Sequence, residues 1–289
     1  MTCKVYVDGG LGNQLFQVAL AIYLNKIKNK DVILDVSLLE GKKQHGGIDF
    51  RFLIDIEDSI KIETGDSLDT ILVSKGWGAK MFRTFLRALR VKKISNFLLY
   101  DFDAESKFSS IDFNSASNNY LGYFQFPDAA LLVKDIMCSK IAELRNKELS
   151  SVSCSKYKDK VAIHIRRGDF LESKCRKHGT VDIDYINKAM SLFGKEQEFM
   201  VFSDDISWCK SNINARNVSF SDEKSAYCDF LAMTLCSSYI LTASTFGFWA
   251  AFFSINSENK MNVVISKDLS ANFLSKENTN KLTWKCEYV

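Results

Sequence analysis

A single proline in 289 residues leaves the chain without rigid or Pro-rich linkers, and no internal repeat at a fixed period marks a solenoid or an array. An excess of one charge sign is also missing. Thirty-eight Lys and Arg against 35 Asp and Glu give a net charge of +3, too small for a nucleic-acid binder, and there is no dense aromatic-basic module of the RNA-binding type. The eight cysteines, at 3, 138, 154, 175, 209, 228, 236 and 286, form no C-x-x-C pair, and no His stands at zinc-finger spacing. They read as reduced thiols. The first residues enter a glycine turn within ten positions without an apolar leader region, which sets the expectation of a cytoplasmic protein. The longest uncharged run, 230–257, has the length to cross a bilayer, but Ser237, Ser238, Thr242, Ser244, Thr245, Gly247 and Ser254 interrupt it. Its pattern is helix, buried strand, turn, helix.

What is present is an ordinary globular composition, 46% hydrophobic, long enough for two domains of usual size. The N-terminus reads as a strand over 4–7, a glycine turn over 9–14, an amphipathic helix over 15–28 and a strand over 32–36. From about 158 the alternation resumes, with strands near 161–166, 199–203, 217–220, 239–243 and 261–265 separated mostly by helical patterns. The middle, 40–150, is less regular and richer in helix. The polar stretch Ser150 to Lys156 marks the domain boundary, giving domains 1–155 and 156–289. Each is expected to be α/β with a parallel sheet, and a ligand is expected at the carboxyl ends of the strands.

The segment Val161-Ala162-Ile163-His164-Ile165-Arg166-Arg167-Gly168-Asp169-Phe170 is the most informative in the chain. An apolar strand ends on two arginines and an aspartate. Strand alternation puts His164 and Arg166 on one face and Arg167 on the other. Guanidinium forks match phosphate oxygens in pairs and keep their charge, so a diphosphate fits this cluster. Alternatively, one of the two arginines pairs with Asp169 in a structural salt bridge.

Three further turns carry polar groups. Gly10 and Gly12 fit two positions of a G-x-G-x-x-G fingerprint whose third position is Leu15, and Asp35 would then suit a ribose. That leaves a nicotinamide-binding reading open on this segment. In the same turn Asn13 is either a ligand-facing tip or a helix cap. Ser203-Asp204-Asp205 follows an apolar strand, and one of its carboxylates is expected to cap the next helix. Thr242-Ala243-Ser244-Thr245-Phe246-Gly247 opens a helix whose first amides and hydroxyls could hold phosphate, or whose Ser244 or Thr245 simply caps it.

Taken in order, Gly9 to Gln17, Gly122-Tyr123-Phe124-Gln125, His164 to Asp169, His178-Gly179-Thr180, Phe202 to Asp205 and Ser244 to Ala251 resemble the α-1,2-fucosyltransferases of glycosyltransferase family 11, particularly the bacterial ones. The resemblance covers about 5–255. The H-x-R-R-x-D motif is shared with α-1,6- and protein O-fucosyltransferases, so by itself it specifies the donor better than the linkage. Where many bacterial members have Ser-Trp-Trp, Gly247-Phe248-Trp249 stands here, closer to animal members, a departure that bears on acceptor preference.

The resemblance implies a GT-B fold, two Rossmann-like domains facing each other across a cleft, with the acceptor side in 1–155 and the GDP-fucose site in 156–289. It implies inverting transfer of L-fucose from GDP-β-L-fucose to the 2-hydroxyl of a terminal galactose, in bacterial surface polysaccharide (O-antigen) synthesis, with no metal or other cofactor. Asn13, Arg166 and Asp169 are then catalytic, with Asp169 the general-base candidate. Gly10, Gly12, His164, Arg167, Ser203, Asp204, Asp205, Ser244, Thr245 and Phe246 bind the donor. The alternatives are a fucosyltransferase of another linkage and a non-catalytic nucleotide-binding protein.

Two acidic triplets, Asp101-Phe102-Asp103 and Asp182-Ile183-Asp184, have the D-x-D form of a metal-dependent enzyme, though two are expected by chance among 35 acids. Finally, residues 75–93 carry seven Lys and Arg and no acid, with Phe82, Phe85, Leu86 and Leu89 at helical spacing. This basic amphipathic helix presents either a solvated face over a core-packed stripe or an attachment to the inner face of an anionic membrane carrying a lipid-linked acceptor.

Overall fold

The computed structural model describes residues 2–39, 50–52, 59–63, 77–89, 91, 93–94, 97–100, 108–113, 119–149, 155–167, 182–223, 225–255, 261–267 and 272–289. They form two compact units, 1–137 and 138–289, each an α/β unit with its own six-stranded sheet. The sequence reading placed the division at 155/156, whereas the units part inside helix α4 (Lys134–Glu148). The reason is packing by the second half of that helix, where Arg145 donates to Phe253 O at 2.9 Å and to Thr234 Oγ1 at 3.3 Å.

Unit 1 runs β1 (Thr2–Tyr6), α1 (Leu11–Lys26), β2 (Asp31–Asp35), β3 (Ile60–Glu63), α2 (Trp77–Ala88), β4 (Lys93–Ile94), β5 (Phe97–Tyr100), β6 (Asn119–Gly122) and α3 (Pro127–Leu132), then enters α4. Its sheet order is β3-β2-β1-β6-β5-β4, parallel except for the β4–β5 pair. The stretch expected to be rich in helix therefore supplies four of the six strands. These are short, and two lack the hydrophobic alternation that announces a strand.

The α1 helix is buried almost all round because it is apolar almost all round: from Leu11 to Leu24 Asn13 is half-buried, and Gln14 and Gln17 are polar members of the buried run. It ends without a glycine. Asn29 takes the left-handed conformation instead (φ 51°), and Lys30 N–H returns to Leu24 O at 3.0 Å.

Unit 2 runs β7 (Val161–Ile165), α5 (Ile183–Ser191), β8 (Phe199–Ser203), α6 (Ile206–Asn212), β9 (Val218–Phe220), α7 (Ala226–Met233), β10 (Ser238–Leu241), α8 (Thr245–Phe252), β11 (Asn262–Ile265), α9 (Lys276–Thr279) and β12 (Lys285–Tyr288). The sheet is fully parallel, in the order β12-β11-β10-β7-β8-β9. From β7 the chain steps outward through β8 and β9, then returns to pair β10 against β7. Strand order reverses at that point, and α/β sheets bind ligands at the carboxyl ends of the strands on either side of such a reversal.

All five residues of β7 are buried, as a strand covered on both faces requires. Val161, Ile163 and Ile165 pack with Ile186 and Ala189 of α5 and with Cys209 of α6. Along the uncharged run, α8 puts Phe248, Trp249 and Phe252 into a fully buried aromatic cluster with Phe253. No helix among the described residues is long and apolar enough to cross a membrane.

Candidate active site

In unit 2 the two faces of β7 carry two clusters. On one side His164, 7% exposed, stacks on Phe246 with ring centroids 5.3 Å apart, and Thr242 Oγ1 donates to His164 O at 3.2 Å. Gly247 lies against the ring, where an added Cβ would come within 3.0 Å of His164 Nδ1. Burial and the neighbouring positive charge of Arg166 push the imidazole pKa down to about 3, so the ring is neutral at physiological pH.

Ser244 occupies the N-cap position of α8 but makes no capping hydrogen bond. Its Oγ and His164 Nδ1 are both buried without a hydrogen-bond partner among the described residues. Buried polar groups are nearly always paired, and a hydroxyl beside the first amides of a helix has the chemistry to donate to an anion. Arg166, half-buried, follows the end of β7, close enough for its charge to act on His164. Capping by Ser244 was the plainer expectation from sequence, and the geometry does not show it.

On the other face Arg167 is committed to structure. Its N–H donates to Asp204 Oδ1 at 2.8 Å, its Nε lies 3.4 Å from Asp205 Oδ2, and its guanidinium sits 3.7 Å from the centre of the Trp208 ring. Asp205 also caps α6, accepting from Trp208 N–H at 3.0 Å, while Ser203 Oγ accepts from Asp205 N–H at 3.0 Å. Sequence alone offered Asp169 as the arginine's partner. Asp205 fills that place for Arg167, and Asp169, with His178-Gly179-Thr180 and Asp101-Phe102-Asp103, lies outside the described residues. Asp182 of the other acidic triplet caps α5, accepting from Asp184 N–H at 2.9 Å.

In unit 1 the carboxyl ends of β1 and β6 come together. Helix α1 begins at Leu11, so Gly10 is its N-cap, Gly12 its second residue and Asn13 its third; Asn13 is not the cap. The glycine that the turn needs is Gly9, at φ +86°, where a Cβ would meet Tyr123 Cε1 at 2.8 Å and Asn13 Nδ2 at 3.0 Å. Asn13 Oδ1 accepts from Gln125 Nε2 at 2.8 Å, which fixes the orientation of the Asn13 amide.

The buried glutamines of α1 hold these loops, a role the sequence reading missed. Gln14 donates to Gly9 O and accepts from Phe50 N–H, while Gln17 donates to Gly122 O and accepts from Asp8 N–H, at 2.8–3.1 Å. The available signal was two amides at i and i+3 in an otherwise apolar helix. Phe124, buried with φ 47°, is a second strained residue in the facing loop. Asp35 is consumed locally by Ser37 N–H and Oγ at 3.0 and 2.5 Å, and Lys4 lies 3.9 Å away, which removes the ribose contact on which a nicotinamide site would depend.

Each unit is an α/β unit built on a largely parallel sheet, and the second carries buried polar atoms without a partner among the described residues beside its strand reversal. The chain belongs to glycosyl transferase family 11, whose sequence pattern it matches over residues 2–288. It is 28% identical over 261 residues to an alpha-1,2-colitosyltransferase from Escherichia coli, covering 84% of each chain. It is 38% identical over 102 residues to human galactoside alpha-(1,2)-fucosyltransferase 1, a match covering 32% of this chain and 28% of the human protein's length. Among solved structures, the NodZ alpha-1,6-fucosyltransferase soaked with GDP-fucose aligns at 13% identity and TM-score 0.46, over 88% of this chain and 93% of the other. The E. coli heptosyltransferase WaaC with ADP aligns at 8% identity and TM-score 0.47, over 100% and 93%.

Proposed function

We propose that this chain transfers L-fucose from GDP-β-L-fucose to the 2-hydroxyl of a terminal galactose, with inversion and without a metal or other cofactor. The carrying observation is the pair of buried, unpartnered groups, Ser244 Oγ and His164 Nδ1, beside Arg166 at the opening of α8. Family membership and the likeness to an alpha-1,2-colitosyltransferase and a galactoside alpha-(1,2)-fucosyltransferase support the same chemistry.

In this reading the diphosphate takes the open face of β7. Charge develops on it as the glycosidic bond breaks, and fixed donors aimed at that charge contribute most in the transition state. Arg166 holds the β-phosphate, and the first turn of α8, with Ser244, Thr245 and Phe246, completes the cradle. His164, neutral and stacked, contributes a ring nitrogen without adding positive charge. The Arg167, Ser203, Asp204 and Asp205 network shapes the adjoining wall. Gly10 and Gly12 belong to the donor-binding set, and Asn13, whose Oδ1 accepts from Gln125 Nε2, is catalytic and keeps its Nδ2 for donation. Asp169 is the general base by its place in the motif.

The acceptor is a galactose-terminated glycan of a bacterial surface polysaccharide such as O-antigen. Peripheral attachment at the inner membrane face through 75–93 belongs to the same proposal. The E. coli relative favours one second reading, in which the sugar transferred is colitose.

The test is GDP release in EDTA from GDP-L-fucose, with and without a panel of terminal β-galactosides, with linkage analysis of the product and activated colitose as a parallel donor. Acceptor-dependent release with fucose on the galactose 2-hydroxyl is the expected result. Release that requires added Mg²⁺ or Mn²⁺ overturns metal independence, GDP-fucose binding with no release against any galactoside overturns the assignment, and preference for colitose selects the second reading.

A further inference from the structure

Helix α2 has two apolar faces, and among the described residues one of them packs into the fold. Ala79 and Leu86 are buried, and Phe82 packs with Leu86 among Tyr6, Leu38, Phe97 and Leu121. One of the two sequence readings, the core-packed stripe, included Phe85 and Leu89 as well. They point outward instead, and with Trp77 and Met81 they form a row at i, i+4, i+8 and i+12 whose members are 78, 53, 57 and 59% exposed. At a rise of about 1.5 Å per residue the row is about 18 Å long. Other exposed large apolar side chains among the described residues, such as Ile27, Leu132 and Leu192, lie far apart in the chain and need no explanation, whereas a continuous row marks a surface built to be covered.

Charge identifies what covers it. Residues 75–93 hold seven Lys and Arg and no acid, which leaves the rest of the chain at −4. A second copy docking through this face would bring two such segments together, whereas an anionic bilayer accepts the charge and the apolar row at once. Helices with aromatic and aliphatic residues on one side and basic residues on another lie in the headgroup layer of membranes.

We infer that α2 docks the protein on an anionic lipid surface, with Trp77, Met81, Phe85 and Leu89 immersed and the positive charge of 75–93 drawn to the lipid phosphates. This deepens the transferase proposal by naming the surface on which the acceptor is met, and its test does not depend on turnover.

The full chain is sedimented with vesicles of equimolar phosphatidylglycerol and phosphatidylcholine, and with vesicles of phosphatidylcholine alone. Retention on the anionic vesicles only is expected, with a blue shift of tryptophan emission and quenching by brominated acyl chains, both abolished by Trp77→Phe. Trp77 reports cleanly because Trp249 and Trp284 are buried and Trp208 lies under Arg167. Replacing Met81, Phe85 and Leu89 together by Ser weakens retention by about 10²-fold or more. Replacing Arg83, Arg87 and Arg90 together by Gln weakens it roughly fivefold per charge. Both triple variants keep the wild-type rate on a soluble galactoside. No retention on anionic vesicles, or retention that the Ser triple variant leaves intact, overturns the inference. So does a dimer that the Ser variant converts to monomer without vesicle binding, which assigns the face to a second copy. Vesicle binding without any fucosyl transfer supports the docking surface and overturns the transferase proposal alone.

Discussion

Gly9→Ala is the substitution that most directly tests the geometry of the unit 1 turn. At φ +86° a Cβ is strained whatever space surrounds it, a cost of about 1–2 kcal/mol. Space is also lacking, since the new methyl would lie 2.8 Å from Tyr123 Cε1 and 3.0 Å from Asn13 Nδ2. Crowding of that order costs a further 1–3 kcal/mol or so. The turn cannot relax easily, because Gly9 N–H is held by Asp8 Oδ1 and Gly9 O by Gln14 Nε2, both at 2.8 Å. The combined loss is about 2–5 kcal/mol, a large share of the roughly 5–15 kcal/mol of a typical domain. Urea denaturation with an unchanged slope measures it. Gly194→Ala, where nothing lies within 4 Å of the added Cβ, is the control and stays within about 0.5 kcal/mol of wild type. At a temperature where the Gly9 variant is still folded, turnover falls further than its folded fraction, because the displaced side chain is Asn13. A Gly9→Ala protein within about 0.5 kcal/mol of wild type would refute both the strain and the contact.

Arg166→Ala lowers kcat by roughly 10²–10³ with the fold intact, the usual cost of losing one transition-state donor, and steady-state kinetics on a soluble galactoside checks it. Asp205→Ala removes the α6 cap and the partner of Arg167 and costs about 1–2 kcal/mol, the exposed part of the pair contributing little; Asp205→Asn retains the cap and recovers about half. His164 has a folded-state pKa held below its unfolded value, so the unfolded chain binds the extra proton and stability declines as pH falls from about 6.5 toward about 3. Between pH 6.5 and 5 this amounts to about 2 kcal/mol. Asp229, whose pKa burial raises to about 6, works in the opposite direction over part of that window. The comparison is therefore of slopes: His164→Gln should flatten the acid side of the stability profile, and an unchanged slope would show that the ring is not buried neutral.

Much of the architecture was legible because its signals are local. The strand over 161–165 is a continuous apolar run, buried along its whole length. The helix cap supplied by the Ser203-Asp204-Asp205 turn followed from residue type and position. Unit 1's middle strands were not legible, because β3 to β6 are only two to four residues long, and β3, β5 and β6 pair with strands distant in sequence.

The same division applies to the sites. Sequence by itself determined the family, the α/β class and the cluster of arginines at a strand end, since each rests on residue identity and spacing. Tertiary structure decided what each residue is free to do. It bound Arg167 to Asp205 and Trp208, consumed Asp35 within its own turn, moved the conformational demand from Gly10 and Gly12 to Gly9, and turned Phe85 and Leu89 outward. These outcomes depend on which groups meet in space, and helical or strand periodicity assigns a face without saying what, if anything, lies against it.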